Sequence, residues 1–164
     1  MMLQNLNATK KGFLTGMLMV GLSLIFFYSN LPFESPVQYV IYIVYAGGIV
    51  WSILEFAKTA NPSAKFGDYF LQGFKCFIVV TLLMVLFTFI FNKMHPEFKE
   101  EVAKAFREDM IKKGDKTPAE MDNNVEKMKD FYIAVLLAGA IFSYLIIGAV
   151  VTAAVSLVVK RRKS

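Results

Sequence analysis

The sequence predicts an all-α protein, an integral membrane bundle of four transmembrane helices with a helical hairpin between helices three and four. Three observations predict it. Of the 164 residues, 56% are hydrophobic, and the mean hydropathy is +0.50, whereas soluble domains are about 45–50% apolar. The apolar residues gather into four long blocks separated by polar stretches. Crossing a hydrocarbon core of about 30 Å takes about 20 such residues as a helix. No block shows the strict alternation of a barrel strand, and lipid leaves any open backbone unsatisfied.

The spans fall at about residues 12–30, 37–57, 68–92 and 131–159, within a single membrane domain of residues 1–164. Lys10 and Lys11 before the first span could suggest a signal peptide. Its far end, Phe26-Phe27-Tyr28-Ser29-Asn30-Leu31-Pro32, lacks a small-x-small cleavage pattern, so an uncleaved helix is expected. Ser35-Pro36 can start the second span, and Asn61-Pro62-Ser63 breaks the chain before the third. The fourth block is longer than a span needs and must tilt or project.

Charge sets the expected orientation. Lys10 and Lys11 precede the first span, the loop of residues 29–36 holds no Lys or Arg, and the second loop carries Lys58 and Lys65. The chain ends in Lys160-Arg161-Arg162-Lys163. The positive-inside rule therefore expects both termini in the cytoplasm and residues 92–130 outside. That last segment holds nine Lys or Arg, but also ten acids, and most of its bases lie away from the helix ends. The net charge of +5 collects at membrane flanks, which excludes a nucleic-acid surface as its best explanation.

Residues 95–130 read as an extramembrane helical insert. Pro96 and Glu97 mark a helix start, Lys112 and Lys113 an end, and Gly114 can cap it. Thr117-Pro118-Ala119-Glu120 is a capping box. Phe98, Val102, Phe106 and Met110 recur every four residues, and Met121, Val125 and Met128 form a second stripe. Helices over residues 96–113 and 118–130 are expected, with the stripes facing each other or the bilayer surface.

The stretch from Ala64-Lys65-Phe66-Gly67-Asp68-Tyr69 through Gln72-Gly73-Phe74-Lys75 resembles a family signature. A second match is Met94-His95-Pro96-Glu97-Phe98, followed by Met110-Ile111-Lys112-Lys113-Gly114 and residues 117–131. Together they resemble the domain of unknown function 4199 family, short four-helix proteins of the bacterial inner membrane with a charged segment between helices three and four. The resemblance covers nearly the whole chain. It implies the architecture and a cytoplasmic-membrane location, and it brings no catalytic or ligand residues.

Candidate chemistry is sparse. Glu55 and Lys75 are a possible intramembrane charge pair, although Glu55 can also pair with Lys58 one turn on, and Lys75 can snorkel to the interface. His95 could join Glu97 and Glu101 on a metal, but oxygen partners at a helix start favour a simple surface histidine. Cys76 is alone and reads as a buried thiol. Gly12 and Gly16 form a GxxxG, and Gly148, Thr152 and Ser156 share a face, as do Ala149 and Ala153. These suit packing within one bundle or, alternatively, a dimer seam. Tyr28 and Tyr39 suit interfacial anchoring, while Tyr45 lies deeper and should turn its hydroxyl to another helix.

No catalytic, cofactor-binding or metal residue is assigned, since no HExxH, GxSxG or phosphate-binding glycine loop is present. The expected function is a non-enzymatic structural or protein-interaction component of the cell envelope. The alternative is a small transporter or channel subunit using Glu55 and Lys75. Membrane lipid is the sure partner, with envelope proteins or further copies of the chain as candidates and no cofactor.

Overall fold

The computed structural model describes residues 7–29, 38–114 and 116–163. They form five helices and no strand: α1 (Ala8–Tyr28), α2 (Gln38–Thr59), α3 (Phe66–Met94), α4 (Glu97–Lys113) and α5 (Pro118–Lys163). Four of them, α1, α2, α3 and α5, are long and apolar enough to cross a membrane. The helix starts are local chemistry. Asn7 caps α1 by accepting from the Lys10 amide at 2.9 Å, and the Asp68 carboxylate accepts from the Lys65 amide at 2.7 Å. Asn61 accepts from the Ser63 amide at 3.1 Å, which turns the chain between α2 and α3. The Ser35-Pro36 start lies outside the described residues.

Two boundaries differ from the sequence reading. First, α1 begins at Ala8, so Lys10 and Lys11 are helical residues and do not precede the helix. Second, the expected helix over residues 118–130 and the fourth span are one continuous helix of 46 residues. The passage from Asp130 to Phe131 changes composition without a glycine, proline or cap to break the backbone. The sequence turns from charged to apolar there, while the helix runs on. At about 1.5 Å per residue α5 is roughly 70 Å long, more than twice a hydrocarbon core.

The chain divides into two compact units, Met1–Met84 with Ile141–Ser164, and Val85–Ala140. In the first, one face of each helix is buried: Lys11, Gly12, Thr15, Gly16 and Met19 on α1; Tyr45, Ile49, Ser52 and Ile53 on α2; Tyr69, Gly73, Cys76, Phe77 and Val80 on α3; Thr152 and Ser156 on α5. The rows step by three or four residues, as helical periodicity requires. Outward residues such as Leu82, Ile146 and Val150 are exposed and apolar, which is what a lipid-facing surface demands.

Close approach depends on glycines. A Cβ on Gly12 would sit 2.6 Å from the Cys76 carbonyl oxygen, and one on Gly73 would sit 2.5 Å from the Thr152 methyl. Gly48 is occluded by Thr15, and Gly148 by the Tyr45 hydroxyl and the Phe77 ring. The GxxxG of α1 therefore packs inside this unit, with Gly12 against Cys76 and Val79 and Gly16 against Leu83. The small stripe of α5 does the same through Gly148 and Thr152.

Gly12→Ala should lower stability by about 1–3 kcal/mol through overpacking against backbone. Gly47→Ala, at a site with nothing within 4 Å, should be neutral or stabilising by up to about 1 kcal/mol. Denaturation midpoints in detergent micelles, followed by circular dichroism, would compare the two.

Candidate functional site: a buried polar core and a helical hairpin

Within the first unit the buried face is unusually polar for a membrane bundle. Lys11, Thr15, Ser52, Thr81, Thr152 and Ser156 are all buried. Several are satisfied locally. The Thr81 hydroxyl donates to the Phe77 carbonyl at 2.8 Å, the Ser52 hydroxyl to the Gln72 carbonyl at 3.3 Å, and the Cys76 thiol to the Gly48 carbonyl at 3.6 Å. Tyr45 is fully buried and donates to the Tyr144 carbonyl of α5 at 2.8 Å, the interhelical contact its depth in α2 led one to expect. The Thr152 and Ser156 hydroxyls are buried without a partner.

Lys11 is the residue that sequence reasoning missed. It is 3% exposed, and its ammonium lies 5.4 Å from the centre of the Trp51 ring, within cation–π range. Glu55 follows one turn beyond Trp51 on α2. A signal was present in the sequence. Asn7 is a capping residue, which starts the helix early and puts Lys11 on the same face as Gly12, Thr15 and Gly16.

The expected cross-helix pair of Glu55 and Lys75 does not form. The Glu55 carboxylate, 14% exposed, instead meets the Lys58 ammonium at 3.0 Å on its own helix. Lys75 lies exposed on α3 beside the buried Cys76. The cavity found between α2 and α5, about 450 Å³, is lined by apolar residues and Arg162, without Glu55 or Lys75.

The second unit holds the hairpin. The Thr117 amide and hydroxyl both donate to the Glu120 carboxylate at 2.8 Å, so the capping box forms. Gly114 closes α4 in the left-handed conformation, φ 67°, with its amide on the Met110 carbonyl. Charge clasps tie α4 to α5: Lys129 to Glu100 at 2.5 Å and Arg107 to Asp122 at 2.9 Å. His95 meets Glu97 at 2.6 Å and lies against the Phe91 and Phe98 rings.

The hairpin's apolar face is rotated from the expected stripe. Ala103 and Met110 are the buried residues of α4, while Val102 and Phe106 are 44% and 38% exposed. Met121, Val125 and Met128 on α5 are partly buried, and Asn124 beside them reaches the Met110 sulfur at 4.0 Å. A strict four-residue repeat explains the rotation. Each step overshoots a full turn by about 40°, so Phe98, Val102, Phe106 and Met110 wind around the helix and cannot all face one neighbour.

Three carboxyls of this unit are held below the usual carboxylate range. For Glu97 the cause is first its own backbone amide and then His95; for Glu100 it is Lys129; for Glu120 it is the Thr117 amide and hydroxyl. A depressed folded-state pKa means the folded hairpin binds fewer protons than the unfolded chain. Its stabilisation is present above the ordinary carboxylate value and fades as pH falls through the lowered ones. Acidification below about pH 4 should therefore expose hairpin amides to hydrogen exchange before those of α1 and α2. Equal loss of protection in both would contradict this.

Comparison with known proteins gives one match. No curated protein and no solved structure matches the chain. A family profile matches residues 10–161, which takes in all four membrane-length helices and the hairpin. By that match, over nearly its whole length, the chain belongs to the family described as Protein of unknown function (DUF4199).

Proposed function

We propose that the protein is a non-enzymatic component of the bacterial inner membrane, with both termini cytoplasmic, whose hairpin presents a docking surface to other envelope proteins. The observation that carries this reading is the pair Val102 and Phe106. Both are exposed on a helix whose other face is already occupied, on a hairpin fixed by two cross-helix ion pairs. A rigid scaffold that shows apolar side chains amid charge is the composition of an interaction site. The pairing of Glu55 with Lys58 on its own helix, and a cavity lining that includes neither Glu55 nor Lys75, give further support. A small transporter or channel subunit is the second reading, and Lys11 is what favours it, because ionisable groups at membrane depth often mark a path.

The interaction reading separates two classes of substitution on α4. Val102→Asp combined with Phe106→Asp should leave the hairpin folded and strip co-purifying envelope proteins from a native-detergent pull-down. Ala103→Asp, on the buried face, should unfold the hairpin at a loss of about 2 kcal/mol or more. Retention of the wild-type set of co-purifying proteins by the double variant would count against docking through this face.

Orientation has its own test. In a Cys76→Ser background, single cysteines replacing Lys116 and Ser164 would be treated with an impermeant thiol reagent in intact spheroplasts. Labelling at position 116 alone is expected, and labelling at 164 alone would invert the topology.

A further inference from the structure

The cavity between α2 and α5 has the form of a lipid seat. Its walls come from one face of each helix: Val50, Leu54 and Ala57 at steps of four and three residues on α2, and Ala154, Val155, Val158 and Val159 on α5. The volume, about 450 Å³, is within the range of small-molecule sites, about 300–1,000 Å³. Ala57 and Ala154, one on each helix, are the shortest side chains of the lining. Everything along the walls is hydrocarbon. The exception is Arg162, which stands two turns beyond Ala154 on α5, about 12 Å further along the axis.

We propose that this groove holds an acyl chain of an anionic phospholipid, with Arg162 binding its phosphate. Both helices are of membrane-crossing length and hydropathy, so the medium outside the groove is itself acyl chain. A gap there fills with lipid, since water would find no polar partner on its walls. The charge at the mouth selects the headgroup. A guanidinium presents a planar fork of donors that matches phosphate oxygens, and Arg162 lies within the run Lys160-Arg161-Arg162-Lys163. Of Arg161 and Arg162, both exposed, Arg162 alone lines the groove. That distinguishes a seat from the diffuse attraction any basic tail has for an anionic surface.

The test uses the full chain, purified in detergent and delipidated, then given equal amounts of dioleoyl phosphatidylglycerol and dioleoyl phosphatidylcholine. Native mass spectrometry reads the retained lipid. Preferential retention of phosphatidylglycerol is expected, and Arg162→Gln should lower it about tenfold, as loss of a charged hydrogen bond implies. Arg161→Gln, the matched loss of charge outside the groove, should leave it unchanged. Ala154→Phe should displace both lipids by filling the groove. Equal retention of the two lipids, or equal losses from Arg161→Gln and Arg162→Gln, would overturn the proposal. So would unchanged retention by an Ala154→Phe protein that still elutes as a folded species. If Ala154→Phe does not fold, the pair of arginine variants, both exposed, decides the question.

Discussion

Lipid is as apolar as a leucine side chain, so helices inside a membrane gain little by hiding leucine from it. What holds them is contact close enough for dispersion and for hydrogen bonds between side chains and neighbouring backbone. The first unit is arranged around that constraint. Gly12 admits the Cys76 carbonyl, Gly48 admits Thr15, Gly73 admits Thr152, and Gly148 admits the Tyr45 hydroxyl and the Phe77 ring. Each of these approaches brings a polar group with it. Cys76 reaches the Gly48 carbonyl, and Tyr45 reaches the Tyr144 carbonyl, because the backbones lie near enough. The buried lysine sits one residue before the first of these glycines, on a helix that could not come so close otherwise.

The hairpin is built on other physics. Its buried area is small, with Ala103 and Met110 the buried residues of α4. Its order comes from caps and from ion pairs between exposed side chains, such as Arg107 with Asp122. Such pairs weaken with salt and acid, whereas close contact within hydrocarbon does not. The two units thus answer differently to the same change of solvent.

The four spans were legible because length and apolarity alone decide them, and the capping box at Thr117 and Glu120 was legible because its partners are three residues apart. What escaped was everything fixed by rotation or by continuity. Lys11 was read as a flanking charge because composition says which residues are basic, and only the helix start at Asn7 says which way they face. The apolar stripe of α4 was placed on one side because four-residue spacing looks periodic over two turns and drifts over three. Glu55 had two partners open to it, Lys58 one turn on and Lys75 across helices, and spacing alone could not choose the first. The unbroken α5 was divided at Asp130 because a change of composition resembles a change of structure when only letters are read.

The burial of Lys11 imposes an order on assembly. Its aromatic partner, Trp51, lies on α2, and the backbone that seals the adjoining Gly12 belongs to Cys76 on α3. During synthesis the first helix is made well before either exists. Until both arrive its ammonium has no aromatic face to rest on and no neighbouring wall, so its natural place is the headgroup layer. The burial of Lys11 is thus completed by helices that follow α1 in the chain.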